Sequence, residues 1–186
     1  MAKNSYHHGN LKNELIEKGL EYIDRNGVES LSMRKLAESA GVSCAAPYSH
    51  FKNKQDFLKA IQDYITERFM DVLTAAAEYC RDRSRLLIEL GISYVRFFYK
   101  NPLYYSFLFN RNFPDLETYS PFLFFRECVI MTLGKDLDED KLRYAVIALW
   151  SMVHGLAGLI TVEDLIDPEH IPEEIEKIIT TVDIRR

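Results

Sequence analysis

The chain has 186 residues, of which 47% are hydrophobic and 27% are charged, and its formal net charge is −5. Such a chain can bury a core and remain in solution, and it contains no apolar run close to the roughly 20 residues that a membrane-spanning helix needs. The first ten residues are polar and include no apolar segment, so we expect neither secretion nor a membrane partner.

Three helices are predicted in the first 51 residues. Apolar residues recur at helical spacing over 11–23, and Gly27 is placed to end this first helix. Ser32 is a candidate N-cap for a short second helix that Gly41 would end. Ser43 is a candidate N-cap for a third short helix, which would end near residue 51.

A long fourth helix is predicted from Lys54 to about Tyr79, with Asn53 and Asp56 placed to cap its start from both sides. At 1.5 Å per residue this helix would be roughly 39 Å long, which is more than the width expected of the three-helix head. We therefore expect it to connect the head to the rest of the chain.

The remainder of the chain also has helical periodicity, and Pro102, Pro121 and Pro172 each fall where a first helical turn should begin. No β-type alternation and no glycine-rich phosphate loop occurs in the sequence. We expect an all-α fold with a helix-turn-helix head over 1–53 and a helical body over 54–186. The later helices are predicted at 85–100, 102–110, 121–134, 139–162 and 172–182.

The charges are distributed unequally between the two predicted domains. Residues 1–54 contain eight Lys and Arg against six Asp and Glu, whereas residues 55–186 contain 15 against 22. A head that meets phosphate and a body that does not would show this asymmetry, although a surplus of two charges also arises easily by chance.

The three cysteines, Cys44, Cys80 and Cys128, are far apart and form no CxxC pair or metal-ligand spacing. A reduced, cytoplasmic chain is the simplest interpretation, and we expect no metal and no cofactor. Each cysteine is more readily explained as a small filler than as a redox sensor, although Cys44 could modulate binding on oxidation.

The stretch 31–57 contains the pattern on which the functional prediction depends. Two short helices meet at Ala40, Gly41, Val42 and Ser43, where glycine permits a left-handed turn and serine can cap the next helix. A tight turn of this kind leaves the second helix free to enter the major groove of DNA. The sequence therefore predicts a DNA-binding helix-turn-helix.

Phosphate contacts are predicted for three donors of this motif, Tyr48, His50 and Lys54, the last of which lies at a helix N-terminus. Alternatively, Tyr48 and Phe51 could close a small core while His50 and Lys54 are solvated. Pro47 removes one backbone hydrogen bond and can tighten or bend the third helix.

Base contacts are harder to predict, because no Arg, Lys, Asn or Gln precedes His50 on the outer face of the third helix. Specificity could depend on DNA shape, on Arg34 and on an N-terminal arm with Lys3, His7 and His8. The residues expected to contact DNA are Arg34, Ser43, Cys44, Ala45, Ala46, Tyr48, Ser49, His50 and Lys54.

This pattern resembles the DNA-binding head of the tetracycline-repressor (TetR) family, in which an A-G-V-S turn and Y-x-H-F-x-x-K precede the connector helix. The segments 6–11 and 46–48 resemble one branch of that family, and so does the W-x-x-x-H-G spacing of Trp150, His154 and Gly155. The resemblance implies an effector site between the connector helix and helices five to eight, and subunit pairing through the last two long helices. The matching head residues are Ala40, Gly41, Val42, Ser43, Tyr48, His50, Phe51, Lys54 and Leu58.

Residues 94–125 contain more aromatic side chains than an ordinary core requires, and prolines interrupt the helices among them. We expect an aromatic-lined cavity for a small organic molecule. His154, one helical turn from Trp150, could bind this molecule, although a lone histidine among apolar residues is more often a hydrogen-bonded core group. The expected effector-binding residues are Phe98, Tyr104, Tyr105, Phe107, Phe125, Trp150 and His154.

Small residues recur every three or four positions over 145–158, next to an amphipathic final helix. This stripe would let another helix approach closely, either within the subunit or across a two-fold interface. Since two heads are needed to recognise a palindrome, we favour a homodimer. The expected interface residues are Ala145, Ala148, Ser151, Gly155, Gly158, Ile175, Ile178 and Ile179.

These features predict a dimeric repressor that binds a palindromic double-stranded operator and is released by a small organic effector, although activation is also compatible with the sequence. The alternative is a DNA-binding regulator that has no small-molecule ligand and acts through protein partners. An enzyme is not expected, because the five histidines form no catalytic set. A purely helical interaction module would not explain the helix-turn-helix spacing.

Overall fold

The computed structural model describes residues 8–109, 114–134, 137–160 and 166–181. Within these residues the chain forms eight α-helices and no strand, so the all-α prediction is confirmed. The helices are α1 (His8–Asn26), α2 (Met33–Ser39), α3 (Lys54–Tyr79), α4 (Leu86–Lys100), α5 (Pro102–Phe109), α6 (Ser120–Leu133), α7 (Glu139–Leu159) and α8 (Ile171–Thr181).

Two compact units make up the chain, residues 1–65 and residues 66–186. The division therefore falls within α3, whereas the sequence placed the domain boundary at the start of that helix. α3 continues without a break over 26 residues.

The core of the first unit lies between α1, α2 and the beginning of α3. Leu15, Leu36 and Phe57 are completely buried, and the Phe51 and Phe57 rings meet edge to face with their centroids 4.9 Å apart. Burial of each such side chain stabilises the fold by about 1.5–3 kcal/mol. At Gly19 the absence of a side chain gives the Phe57 ring its space, because a Cβ there would collide with it.

The predicted caps of α2 and α3 are present. The Ser32 hydroxyl accepts a hydrogen bond from the Lys35 amide at 3.2 Å. Asn53 Oδ1 accepts from the Asp56 amide at 2.9 Å, and Asp56 in turn accepts from the Lys52 amide at 2.8 Å. These bonds satisfy amides that have no partner inside a helix, and they set where α2 and α3 begin.

α4 is the central helix of the second unit, where it packs against α6, α7 and α8. Tyr94 and Val95 of α4 are completely buried. The Arg85 guanidinium, just before α4, forms two hydrogen bonds with the Glu176 carboxylate of α8, at 2.7 and 2.9 Å. An aliphatic core cluster joins α4 to α8 and to the end of α7, and it contains Ile92, Val95, Ile160, Ile166, Ile171, Ile175 and Ile179.

By length and composition alone, α7 is long and apolar enough to cross a membrane. A core helix of a folded domain has the same composition, and α7 does pack against α4 and α6. The packing explains one side of α7, while the other side is exposed and includes the apolar side chains of Tyr144, Ile147 and Leu159.

Candidate nucleic-acid interface and effector site

The turn after α2 has the geometry that the sequence predicts. Gly41 has a φ of 65°, which is in the left-handed region that favours glycine. The Val42 amide donates to the Ala37 carbonyl at 3.0 Å, and the Gly41 amide donates to the Glu38 carbonyl at 3.2 Å. This pair of bonds is a Schellman motif, which ends α2 and redirects the chain.

The third helix differs from the prediction, because it is a single 3-10 turn over Ala46–Ser49. Ser43 is not its side-chain cap; the N-cap position is Ala45, and only the Ser43 carbonyl participates, accepting from the Ala46 amide at 2.9 Å. Pro47 explains the difference, since it has no N–H to donate to the Ser43 carbonyl and so an α-helical bond cannot form there. Bonds between residues three apart form instead, from Tyr48 to Ala45 and from His50 to Pro47.

Most of the predicted DNA-contacting side chains of the first unit are on its surface. Tyr48 is 57% exposed, which leaves its hydroxyl accessible and argues against the alternative that it closes a small core. That alternative holds for Phe51, which is 2% exposed. The exposed members of the predicted set are Arg34, Ser43, Cys44, Ala45, Tyr48 and Ser49, and the half-buried members are Ala46, His50 and Lys54.

The cations of this surface are held by weak, exchangeable bonds. Arg34 Nε donates to the Glu38 carboxylate at 3.0 Å, and both side chains are largely exposed. Lys54 Nζ donates to the Glu29 carbonyl at 3.3 Å. Exposed pairs of this kind contribute about 0–1 kcal/mol, so a phosphate can replace the present partner at little cost.

His50 is positioned differently from the expectation. Its Nε2 is buried and has no hydrogen-bond partner among the described residues. In this conformation Nε2 is therefore not available to a phosphate, and DNA contact by the half-buried His50 stays a prediction. Lys3 and His7 of the predicted arm lie outside the described residues, and of His8 only the backbone, at the start of α1, is described.

In the second unit, an aromatic cluster surrounds Tyr94, which is completely buried. The Tyr94 ring contacts the rings of Phe69 of α3, Phe98 and Trp150, with centroids 4.9–5.2 Å apart. Phe69 is also completely buried, so α3 is part of this cluster. Sequence reasoning missed Tyr94, because a tyrosine at helical spacing gives no signal that separates it from the core.

Both ring nitrogens of His154 have tyrosine partners within this cluster. Tyr94 Oη lies 3.0 Å from Nδ1, and Tyr105 Oη lies 3.3 Å from Nε2. Tyr105 also donates to the His154 carbonyl at 3.3 Å. Since a tyrosine hydroxyl has one proton, Tyr105 then accepts from Nε2–H, and Nδ1 accepts the proton of Tyr94. A neutral imidazole with its proton on Nε2 satisfies both bonds in this arrangement.

The ionisation of these groups follows their burial. Desolvation lowers the pKa of His154, and desolvation raises the pKa of Tyr94 and of Tyr105. All three shifts favour the uncharged forms. The cluster is thus a neutral, hydrogen-bonded aromatic region.

Five of the seven predicted effector residues come together here: Phe98, Tyr105, Phe125, Trp150 and His154. Tyr104 is buried against Phe97, with centroids 5.9 Å apart. Phe107 is half-buried and makes no ring contact among the described residues.

A packed aromatic cluster occupies the place where we expected a cavity. Its rings contact one another directly, whereas two open clefts lie between α3 and α4. One cleft, of about 670 Å³, is lined by Tyr79, Cys80 and Arg85 among others, and the other, of about 530 Å³, includes Arg68 and Lys100. None of the predicted effector residues lines these two clefts.

The predicted interface residues divide into an exposed set and a buried set. Ala148, Ser151 and Gly155 are exposed on α7, while Gly158 and Ile178 are half-buried. In contrast, Ala145, Ile175 and Ile179 are between 0% and 8% exposed. These three side chains pack inside the subunit, so they contribute little surface to a partner, and an interface role for any of the eight residues stays a prediction. Large apolar side chains that we did not single out are exposed on α7: Tyr144, Ile147 and Leu159.

Two family descriptions match the chain. Residues 15–61 match "Bacterial regulatory proteins, tetR family". Residues 87–182 match "Tetracyclin repressor-like, C-terminal domain". The first match covers the helix-turn-helix and the beginning of α3, and the second extends from α4 through α8.

Curated regulators are similar to this chain, one of them over most of its length and a tetracycline repressor over a shorter segment. An uncharacterised HTH-type transcriptional regulator of Mycobacterium tuberculosis is 25% identical over 152 residues, which cover 80% of this chain and 69% of that protein. The class A tetracycline repressor of Escherichia coli is 41% identical over 51 residues, which cover 27% of this chain and 24% of the repressor. The similarity to the tetracycline repressor therefore spans about a quarter of its length.

Solved structures resemble the chain over nearly its whole length. The fatty acid degradation regulator FadR of Bacillus halodurans has a TM-score of 0.69 at 15% identity, covering 90% of this chain and 93% of that one. A regulatory protein in the tetR family from Rhodococcus has a TM-score of 0.70 at 18% identity, with coverages of 90% and 93%. At these identities the similarity establishes a common fold.

Proposed function

The chain belongs to the TetR family of DNA-binding transcriptional regulators, and from this premise we propose that it is a homodimeric repressor released from a palindromic operator by a small organic effector. A regulator of bacterial transcription meets its DNA in the cytoplasm, which is the location we propose. The W-x-x-x-H-G branch is proposed on the spacing of Trp150, His154 and Gly155.

The observation that supports operator binding is the exposed surface around the 3-10 turn Ala46–Ser49. Tyr48 presents a hydroxyl there, and Lys54 lies at the N-terminus of α3, where the helix dipole favours a phosphate. Because few long polar side chains accompany them, phosphate contacts and DNA shape would provide most of the affinity and specificity.

Dimerisation is supported by the exposed side of α7. Tyr144, Ile147 and Leu159 are 58%, 50% and 48% exposed and recur at helical spacing. Ala148 and Gly155 lie between them, so the backbone of a partner helix can approach closely. Burial of this face against a second copy would cover apolar surface that a monomer leaves in water.

Release by an effector requires that ligand binding in the second unit changes α3. Phe69 of α3 contacts Tyr94 and Phe98 of α4, so a molecule that displaces these rings acts directly on α3. We propose that the effector favours a different tilt of this helix, and that the two heads then no longer match half-sites about 34 Å apart. Coupling energies between such sites are typically about 1–3 kcal/mol.

A regulator without a small-molecule ligand is the second candidate, and the direct packing of the aromatic rings favours it. In that case protein partners would control DNA binding. A thermal-shift screen against metabolites and drugs distinguishes the two candidates, since a bound ligand raises the melting temperature of the native state. Stabilisation by no compound would favour the second candidate.

Selection from randomised duplex DNA, at two salt concentrations, tests operator binding. We expect enrichment of a palindrome with half-sites about one helical turn apart. If no sequence is enriched and binding vanishes in salt, the head is a non-specific polyanion binder and the proposal of a specific operator fails.

A further inference from the structure

Trp150 has a buried hydrogen-bond donor that nothing in the described structure uses. The residue is 4% exposed, and its Nε1 is buried without a hydrogen-bond partner among the described residues. A buried N–H without an acceptor is costly, and each such case in a native fold calls for an explanation, such as a bond to a water molecule or a ligand.

The surroundings of this donor are aromatic. Its ring centroid lies 5.2 Å from those of Tyr94 and Phe122, 5.4 Å from that of Phe125 and 6.5 Å from that of Tyr119. We call these five residues the Trp150 cluster. They come from α4, from α6 and the residue before it, and from α7, so the donor lies where these helices meet.

The Trp150 cluster has a second polar atom that is poorly satisfied. The hydroxyl of Tyr119 is buried and makes no hydrogen bond of good geometry, with Thr66 of α3 as its polar neighbour. A stably bound water needs about two to four polar partners. Trp150 Nε1, the Tyr119 hydroxyl and Thr66 could hold one water, while the aromatic rings on the other sides favour a molecule that is mostly apolar.

The charge of the site restricts the ligand further. No charged residue is buried within the described chain. Desolvation keeps Tyr94 and Tyr119 uncharged by raising the pKa of each, and it lowers the pKa of the neighbouring His154. A carboxylate bound here would be desolvated without a cation to compensate it, which is strongly unfavourable.

We propose that the Trp150 cluster binds a neutral, mainly apolar effector through one carbonyl-type oxygen, which accepts the hydrogen bond of Trp150 Nε1. The inference rests on the proposed function in treating the bound molecule as an effector. Phe122 is half-buried and contacts the indole directly, so movement of this one ring opens a route from the surface to the donor. The closed packing of the rings is then the unliganded arrangement.

The first experiment uses the wild-type protein and its single tryptophan. The probes are 1-indanone, which has a carbonyl oxygen, indane, which lacks it, and benzoate, which is anionic. The indole N–H gives one cross-peak in a 1H–15N spectrum, and we expect 1-indanone to shift it downfield with saturation. Indane should bind about tenfold more weakly, as the loss of one hydrogen bond implies. Tighter binding of benzoate, equal binding of indane, or no shift with any probe would overturn the proposal.

The second experiment compares two variants by calorimetric titration. Trp150→Phe retains an aromatic ring but removes the donor, so the preference for 1-indanone over indane should fall to about one. Tyr79→Phe is the control, because it changes an exposed ring outside the Trp150 cluster and leaves the donor in place, and it should keep the preference. A preference that persists in Trp150→Phe would show that the carbonyl oxygen of 1-indanone accepts its hydrogen bond from another group. Should Trp150→Phe not fold, the wild-type spectra decide the question alone.

Failure of this inference can be distinguished from failure of the proposed function. Binding of the probes is measured without DNA, and the affinity of Trp150→Phe for DNA is measured without a probe. Unchanged DNA binding together with a lost ketone preference supports the donor role. Probe binding that leaves operator affinity unaltered would retain the site and remove its regulatory role.

Discussion

Lys54 and Tyr48 make different physical contributions to the same predicted contact with phosphate. Lys54 bears a full charge at the start of α3, whereas Tyr48 offers a neutral hydroxyl on the 3-10 turn. Counterion release depends on charge, and so only the lysine should affect how binding responds to salt. The two residues therefore give separable predictions.

Replacement of Lys54 by Gln should weaken binding to all DNA sequences and reduce the salt slope of the affinity by about one. Tyr48→Phe should weaken binding about threefold to tenfold with an unchanged slope, since it removes one neutral hydrogen bond. Fluorescence anisotropy over a series of salt concentrations measures both. Lys177→Gln, an exposed lysine of α8, is the control. An unaltered slope in Lys54→Gln would refute the phosphate role of that residue.

The buried environment of His154 predicts a pH dependence of stability. Its pKa in the folded chain is lowered below the ordinary value of 6.5 by desolvation. As the pH falls below 6.5, the unfolded chain binds a proton that the folded chain does not, so the free energy of unfolding decreases. The contribution is fully present above pH 6.5 and is lost toward the lower pKa of the folded state.

Thermal unfolding of His154→Gln between pH 7.5 and pH 5 tests this dependence. The melting temperature of the variant should decline less steeply with falling pH than that of the wild type. His170 provides a control of opposite sign, because its bond to Asp167 raises its pKa. His170 stabilises the fold at low pH and loses that effect as the pH rises. His170→Asn should therefore steepen the acid-side decline. Identical pH profiles for wild type and His154→Gln would contradict the assignment.

At the scale of elements, the turn between α2 and the 3-10 turn depends on one backbone conformation. A Cβ at Gly41 would meet no atom within 4 Å, so any effect of substitution comes from its φ of 65°. Gly41→Ala should destabilise the chain by about 1–2 kcal/mol, whereas Gly41→Asn should cost less because asparagine tolerates the left-handed region. Denaturant titration measures both variants. Equal costs would show that the turn adapts to a different conformation.

The helices were predictable because their signals are local. Periodicity, Ser32 and Asn53 set the bounds of α2 and α3, and the prolines at 102 and 121 lie in the first turns of α5 and α6. The tightening of the third helix was predictable from Pro47, whereas its extent and the cap at Ser43 were predicted wrongly. A proline one turn inside a short helix leaves too few bonds for an α-helix to form.

The candidate sites were less predictable than the helices, since they depend on which faces meet. Ile175 and Ile179 fit an amphipathic helix equally well for packing within a subunit or between subunits, and the fold uses them within. Tyr94 gave no signal, although it contacts His154, Trp150 and Phe69. Periodicity identifies an apolar face, but only tertiary packing identifies its partner.

At the scale of the whole molecule, the exposed apolar face of α7 predicts the oligomeric state. Ile147→Asp places a charge on this face and should convert a dimer into a monomer in sedimentation experiments, because an unpaired charge is costly in an interface. The monomeric variant should also bind DNA more weakly than the wild type, since one head buries too little surface for specific binding. Tyr79→Asp, at an 83% exposed position on α3, is the control and should remain dimeric. A monomeric wild type would contradict the proposal.

The bonds of His154 to two tyrosines also have a consequence for sequence divergence. A change at Tyr94 removes the donor to Nδ1, and a change at Tyr105 removes the partner of Nε2. Once His154 has become an apolar residue, both tyrosines have lost the same side-chain partner, and replacing Tyr94 by phenylalanine costs less than it did before, while Tyr105 keeps its bond to the backbone carbonyl. The three positions should therefore be epistatic, and their substitutions should accumulate together along a lineage rather than one by one.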